Sequence, residues 1–106
     1  MWHSIIAELL GTFFFVSIIL YITTAYAGNV FVPIIVGLAL ALGIYFASMG
    51  SLGSLNPAVT IALYTRGNLT GGEALVYIGA EVVGAILAYI LWRYMTTCKK
   101  DIRCLS

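Results

Sequence analysis

From Leu9 to Thr65 the chain contains no Asp, Glu, Lys or Arg. A charge-free stretch of that length cannot form the surface of a soluble domain, whose exposed faces need charged side chains. It is ordinary for two membrane spans followed by a segment that dips into the bilayer and returns. Composition agrees: 62% of residues are hydrophobic, 8% are charged and the mean hydropathy is +1.07. The net charge of +1 offers nucleic acid no clustered Lys/Arg surface, so a nucleic-acid partner is excluded. The first apolar segment is too long and too rich in Gly and Phe for a signal-peptide core, and no small-residue cleavage site leads into a soluble domain. It is read as a retained helix.

Breakers divide the chain into spans of about 5–26, 31–49 and 74–94, each close to the roughly 20 residues that cross the hydrocarbon. Ala27-Gly28-Asn29 turns the chain between the first two. Between the second and third, Gly50-Ser51-Leu52-Gly53-Ser54-Leu55 is too glycine- and serine-rich for a helix, and Asn56-Pro57-Ala58-Val59-Thr60-Ile61 follows it. Asn56 is a good N-cap, and Pro57 suits the first helical position because the N–H it lacks would have been unpaired there. A helix from Pro57 to about Tyr64 is only ~12 Å long, against ~30 Å of hydrocarbon, so it enters the membrane and stops near the middle. Irregular backbone at that depth survives only where protein or a wet cavity satisfies its N–H and C=O groups. The expected fold is an all-α integral membrane protein of one domain over 1–106. It has three transmembrane helices, one re-entrant loop and half-helix at about 50–65, and a polar tail at 96–106.

Small residues four apart mark packing faces: Ala39, Gly43 and Ala47 on the second span, Ala80, Gly84 and Ala88 on the third, and Ala7 and Gly11 on the first. Two carboxyl groups, Glu8 and Glu81, lie within the apolar spans. An ionisable group there costs at least ~2.5 kcal/mol on insertion scales, so each needs a role. One role is proton or cation transport. The other is structural, accepting hydrogen bonds from loop N–H groups that would otherwise lack partners. The re-entrant loop favours the second.

The segments Ala7-Glu8-Leu9-Leu10-Gly11-Thr12, Ser51 to Thr60 with Asn56-Pro57-Ala58 at its centre, and Tyr77-Ile78-Gly79-Ala80-Glu81-Val82-Val83-Gly84-Ala85 resemble, in order, the first helix, pore loop and third helix of the aquaporin or major intrinsic protein family. The resemblance runs from about residue 7 to 92. It implies a passive channel in which two inverted halves, each with one Asn-Pro-Ala half-helix, enclose a pore. The helix N-terminus, worth roughly +0.5 charge, then repels cations and protons at Asn56. The Asn56 amide would donate to passing water between apolar walls that include Val36, Leu40 and Val59. The chain departs from the family in several places. Ser54 stands where a His is frequent, Val59 where second halves carry an Arg, and Val36 where water-selective members carry an aromatic. Glu81 stands where Gln is usual. A wider, less polar constriction follows, passing water together with small neutral solutes such as glycerol.

One copy supplies one half, so the resemblance implies three forms: an inverted homodimer within a higher oligomer, a complex with a different half-chain, or a non-conducting fragment or regulatory subunit. Arg93, Lys99, Lys100 and Arg103 outweigh Arg66 and the α-amino group, which places the tail in the cytoplasm. A competing class is the small multidrug-resistance transporters, which carry a functional Glu in an Ala-Glu-x-x-Gly-Thr context like that of Glu8. They have four full spans and no Asn-Pro-Ala half-helix. Cys98 and Cys104 read as unmodified thiols, with palmitoylation of Cys98 the alternative. The Asn68-Leu69-Thr70 sequon and His3 carry no assigned role. With no nucleophile–base set, metal cluster or phosphate loop, the chain reads as neither an enzyme nor a cofactor binder. Its partners are the bilayer, water or a small solute, and another half.

Overall fold

The computed structural model describes residues 1–98, without the Cys98 side chain. The expectations for Lys99, Lys100, Arg103 and Cys104, and for the Cys98 thiol, lie outside what is described. Four helices follow in order: α1 (Trp2–Ala25), α2 (Val32–Ala47), α3 (Pro57–Arg66) and α4 (Gly71–Cys98). At 1.5 Å per residue α1 is about 36 Å long and α4 about 42 Å, enough to cross the hydrocarbon, whereas α2 is about 24 Å and α3 about 15 Å.

Helix ends follow from particular residues. Thr70 and Glu73 form a capping box: Glu73 N–H donates to Thr70 Oγ1 at 3.1 Å, and Thr70 N–H donates to Glu73 Oε1 at 3.0 Å. This starts α4 at Gly71, ahead of the apolar run from Ala74. Gly67, at φ 95°, closes α3 in a Schellman motif in which Gly67 N–H donates to Tyr64 O at 3.0 Å and Asn68 N–H to Leu63 O at 2.9 Å. The half-helix therefore reaches Arg66, two residues beyond the expected Tyr64. In the α1–α2 connection, Asn29 Oδ1 accepts from Phe31 N–H at 2.8 Å.

α1 is the centre of the bundle, packing on both α4 and α2, while α3 packs on α4 alone. The small-residue stripes face inward, with Ala39, Gly43, Ala47, Ala80, Gly84 and Ala88 all buried. At Gly84 the two longest helices touch backbone to backbone. A Cβ there would sit 2.5 Å from Leu9 O and 3.2 Å from Phe13 N. Gly11 and Gly43 serve a different neighbour, since a Cβ on either would meet Leu55 of the loop, at 2.6 Å and 2.9 Å.

The radial distribution of polarity is reversed from that of a soluble protein. Leu10, Phe14, Leu38, Leu42, Leu75, Ile86 and Ile90 face outward, while Glu8, Thr12, Ser54, Thr60 and Glu81 are buried. An exterior so continuously apolar requires hydrocarbon around it. The protein is an integral membrane protein.

Gly84→Ala should destabilise by ~1–3 kcal/mol, because the rigid α1 backbone must move to admit a methyl group. Gly79→Ala, in the same helix with open space around it, should be neutral or stabilising by up to ~1 kcal/mol. Thermal melting of both variants in detergent checks this, and equal shifts would contradict the close α1–α4 approach.

Candidate pore loop and half-helix

After Ser51 the chain must reach Asn56 without helical hydrogen bonds. Ser51 N–H still donates to Ala47 O at 2.9 Å, and beyond it backbone donors turn to side chains. Leu52 N–H donates to Tyr77 Oη at 3.1 Å and Gly53 N–H to Ser51 Oγ at 3.0 Å. Ser54 N–H donates to Glu8 Oε2 at 3.2 Å and Leu55 N–H to Glu8 Oε1 at 2.9 Å. The Ser51 hydroxyl also donates to Glu8 Oε2. One fully buried carboxylate on α1 thus holds three donors of the loop.

Leu55 is the hinge into the half-helix. Its φ of 56° is left-handed, a conformation that costs a β-carbon residue of order 1–3 kcal/mol. Burial of the side chain against Gly11 and Gly43 offsets that cost. Asn56 then returns to extended backbone at φ −151°, and its Oδ1 accepts from Ala58 N–H at 2.8 Å as an N-cap. With Oδ1 so engaged, the amide NH2 is left with no hydrogen-bond partner among the described residues.

The half-helix is tied to α4 through Thr60. Its Oγ1 donates to the Glu81 carboxyl group, 2.8 Å from Oε2 and 3.1 Å from Oε1. The same Oγ1 meets Ser54 Oγ, which lies 3.0 Å from Asn56 O. Glu8, Ser54, Thr60 and Glu81 form one buried polar cluster linking α1, loop, α3 and α4.

The other predicted residues are placed as follows. Ser54, expected to line the passage, is only 4% exposed and serves the cluster. Pro57 is half-buried, and Asn56, Ala58 and Val59 are exposed on the half-helix. Val36 and Leu40 are half-buried on α2, which makes no helix contact with α3. The structure therefore does not bring them together with Val59. Gly11, Gly43 and Gly84 lie at the close approaches described above. Sequence reasoning did not single out Thr60, Tyr77, Ser51 or Leu55. Tyr77 was within reach, because it precedes Glu81 by one helical turn on the same face of α4.

An all-helical bundle with an apolar exterior and a capped half-helix held against it by buried carboxyl groups belongs to the re-entrant-loop membrane proteins. The family model for Major intrinsic protein matches residues 1–104. Aquaporin AqpM of Methanothermobacter marburgensis is 34% identical over 91% of this chain and 42% of its own length. The Propanediol uptake facilitator PduF of Citrobacter freundii is 38% identical over 87% of the chain and 38% of its own. A Probable aquaporin TIP4-1 of Oryza sativa subsp. japonica is 48% identical over 42% of the chain and 18% of its own. No solved structure gives a significant match. The chain belongs to the major intrinsic protein family, whose members are channels and not enzymes, and it spans less than half the length of these relatives. That membership removes the multidrug-transporter reading of Glu8.

Glu8→Ala should strip partners from the buried N–H groups of Ser54 and Leu55, at ~1–3 kcal/mol for each. Glu81→Leu should destabilise by a similar amount through Thr60, while Glu81→Gln, which keeps an acceptor, should lose less than half as much. Melting temperatures of the three variants in detergent measure this. Equal losses for Gln and Leu at 81 would show that the Thr60 bond contributes nothing.

Proposed function

We propose that this chain forms half of a passive pore for water and small neutral solutes such as glycerol, completed by a second half in inverted orientation. The observation that carries this reading is the Asn56 amide. Its oxygen is committed to capping the half-helix, which leaves its NH2 group as a donor on an uncovered face at the positive end of the helix.

In this reading α1 and α4 span the membrane, α2 spans it together with the turn that follows, and α3 reaches the midplane. A water or hydroxyl oxygen arriving at Asn56 accepts from the amide, while Ala58 and Val59 offer no competing hydrogen bond. A cation meets the same N–H groups and the helix dipole with the wrong sign. Val59, rather than a cationic side chain, leaves the constriction wide and weakly polar. The facilitator relative named for propanediol, a small neutral diol, supports admission of solutes of that kind.

The inverted second half follows from the exposed polar end of the half-helix. Lipid against Asn56 would leave its donors unmatched at a cost of several kcal/mol, so protein must cover it. A second copy of this chain or another half-chain of the family supplies the matching half-helix. The extent of the relatives supports that arithmetic, since each is more than twice the matched length. A subunit that only associates with a longer channel shares these features, and flux separates the two.

Liposomes carrying the chain alone should shrink in hyperosmotic buffer at least ten times faster than empty ones, and should swell in isosmotic glycerol. Asn56→Asp keeps the capping oxygen and replaces the amide donor with a second acceptor, so both fluxes should fall to the empty-liposome rate. Fast water flow with glycerol excluded would remove the solute part of the proposal. No flux from inserted, folded protein would remove self-assembly into a pore.

A further inference from the structure

A chain of three oxygen contacts runs from the start of the half-helix to α4. Ser54 Oγ lies 3.0 Å from Asn56 O, the same Oγ meets Thr60 Oγ1, and Thr60 Oγ1 lies 2.8 Å from Glu81 Oε2. A hydrogen bond between two oxygens needs a hydrogen from one of them, and a carbonyl has none to give. The Ser54 and Thr60 hydroxyls together hold two hydrogens for three contacts. The backbone adds none, because the N–H of Ser54 goes to Glu8 and that of Thr60 to Asn56 O. The third can come only from Glu81, as the O–H of a neutral carboxylic acid.

The proton on Glu81 therefore sets the direction of the chain. With Glu81 ionised, Thr60 donates to it, Ser54 donates to Thr60, and Asn56 O loses the Ser54 hydroxyl. With Glu81 neutral, its O–H donates to Thr60, Thr60 donates to Ser54 and Ser54 donates to Asn56 O, so all three contacts close. Ser54, Thr60 and Glu81 are all buried, which leaves these groups to satisfy one another. Asn56 O also accepts the first helical bond of α3, from Thr60 N–H at 2.9 Å, so the Ser54 bond acts on the residue that caps the half-helix. Two other titratable groups belong to this surrounding. Glu8 of α1 holds the Ser54 N–H, and Tyr77, one turn before Glu81 on α4, holds the Leu52 N–H. The loop carries no titratable side chain. Those of α3, Tyr64 and Arg66, are exposed, as are Arg93 and His3.

We propose that Glu81 is a proton-dependent positioning residue for Asn56: its proton, acting through the Thr60 and Ser54 hydroxyls, closes the bond from Ser54 Oγ to the Asn56 carbonyl, and loss of that proton opens it. The device concerns the Asn56 backbone, so it stands whether or not the chain conducts.

Nuclear magnetic resonance of the full chain in lipid bilayers tests it. Asn56-Pro57 is the single Asn-Pro pair in the sequence, so carbonyl-13C asparagine with 15N proline selects the Asn56 carbonyl alone. Side-chain 13C glutamate reports Glu81, assigned by the signal missing from Glu81→Gln. Over about pH 4 to 10, a range spanning the reference values of Glu and Tyr, both signals should move with one midpoint. In Glu81→Gln, whose amide keeps a donor at every pH, the Asn56 carbonyl should hold its low-pH position throughout. In Thr60→Val, Glu81 should titrate while the Asn56 carbonyl stays still. The comparison of the two signals uses unaltered protein, so it decides even if a variant misfolds. An Asn56 carbonyl that stays still while Glu81 titrates, a Glu81 that does not titrate, or movement that persists in Glu81→Gln, which would assign it to Glu8 or Tyr77, would each overturn the proposal.

Discussion

The structure depends on one constraint: a stretch of backbone that is not helical lies inside a membrane protein, and each of its N–H groups must find an acceptor in protein or in a wet cavity. Glu8 meets half of that demand, taking the N–H groups of Ser54 and Leu55 and the Ser51 hydroxyl besides, because a carboxyl group offers two oxygens at a single point. A Gln at that place would supply one such oxygen and would bring two further donors needing partners. A costly ionisable group is thus retained where its acceptor density is used.

The two carboxyl groups divide the work by geometry. Glu8, on the central helix, sets the path of the loop, and Glu81, on α4, sets the position of the half-helix through Thr60. Between them Leu55 takes up the change of direction, with its left-handed backbone held by a side chain seated against two glycines. Strain, cavity shape and polar satisfaction meet at that residue. A change at Gly11 or Gly43 acts on the re-entrant loop through Leu55.

Much of this was legible in the sequence because the membrane permits few solutions. The charge-free run, the breakers and Asn56-Pro57 define the helices to within a few residues, and the departures have local causes in the Thr70–Glu73 capping box and the Gly67 closure. The small-residue stripes were legible as inward faces but not as to what they face, since Gly11 and Gly43 accommodate a loop residue rather than only a helix. Nor could spacing show that Ser54 turns inward to Thr60, because that depends on the positive φ at Leu55, a residue type with no propensity for it. Side-chain partners across separate elements are set by tertiary approach, which no local pattern encodes.

α1 carries these demands on opposite faces. The face with Glu8 and Thr12 is committed to polar contacts with the loop and close packing, so its residues are constrained in size and in hydrogen-bonding capacity at once. The face with Leu10, Phe14, Ser17 and Tyr21 meets the surroundings and is constrained by depth in the bilayer instead. Because the helix is rigid and both faces ride on the same backbone, a shift of α1 against α4 at Gly84 moves the Glu8 carboxyl group and the outward face together. The α1–α4 contact at Gly84 therefore helps to fix Glu8 and, through it, the loop that leads to Asn56.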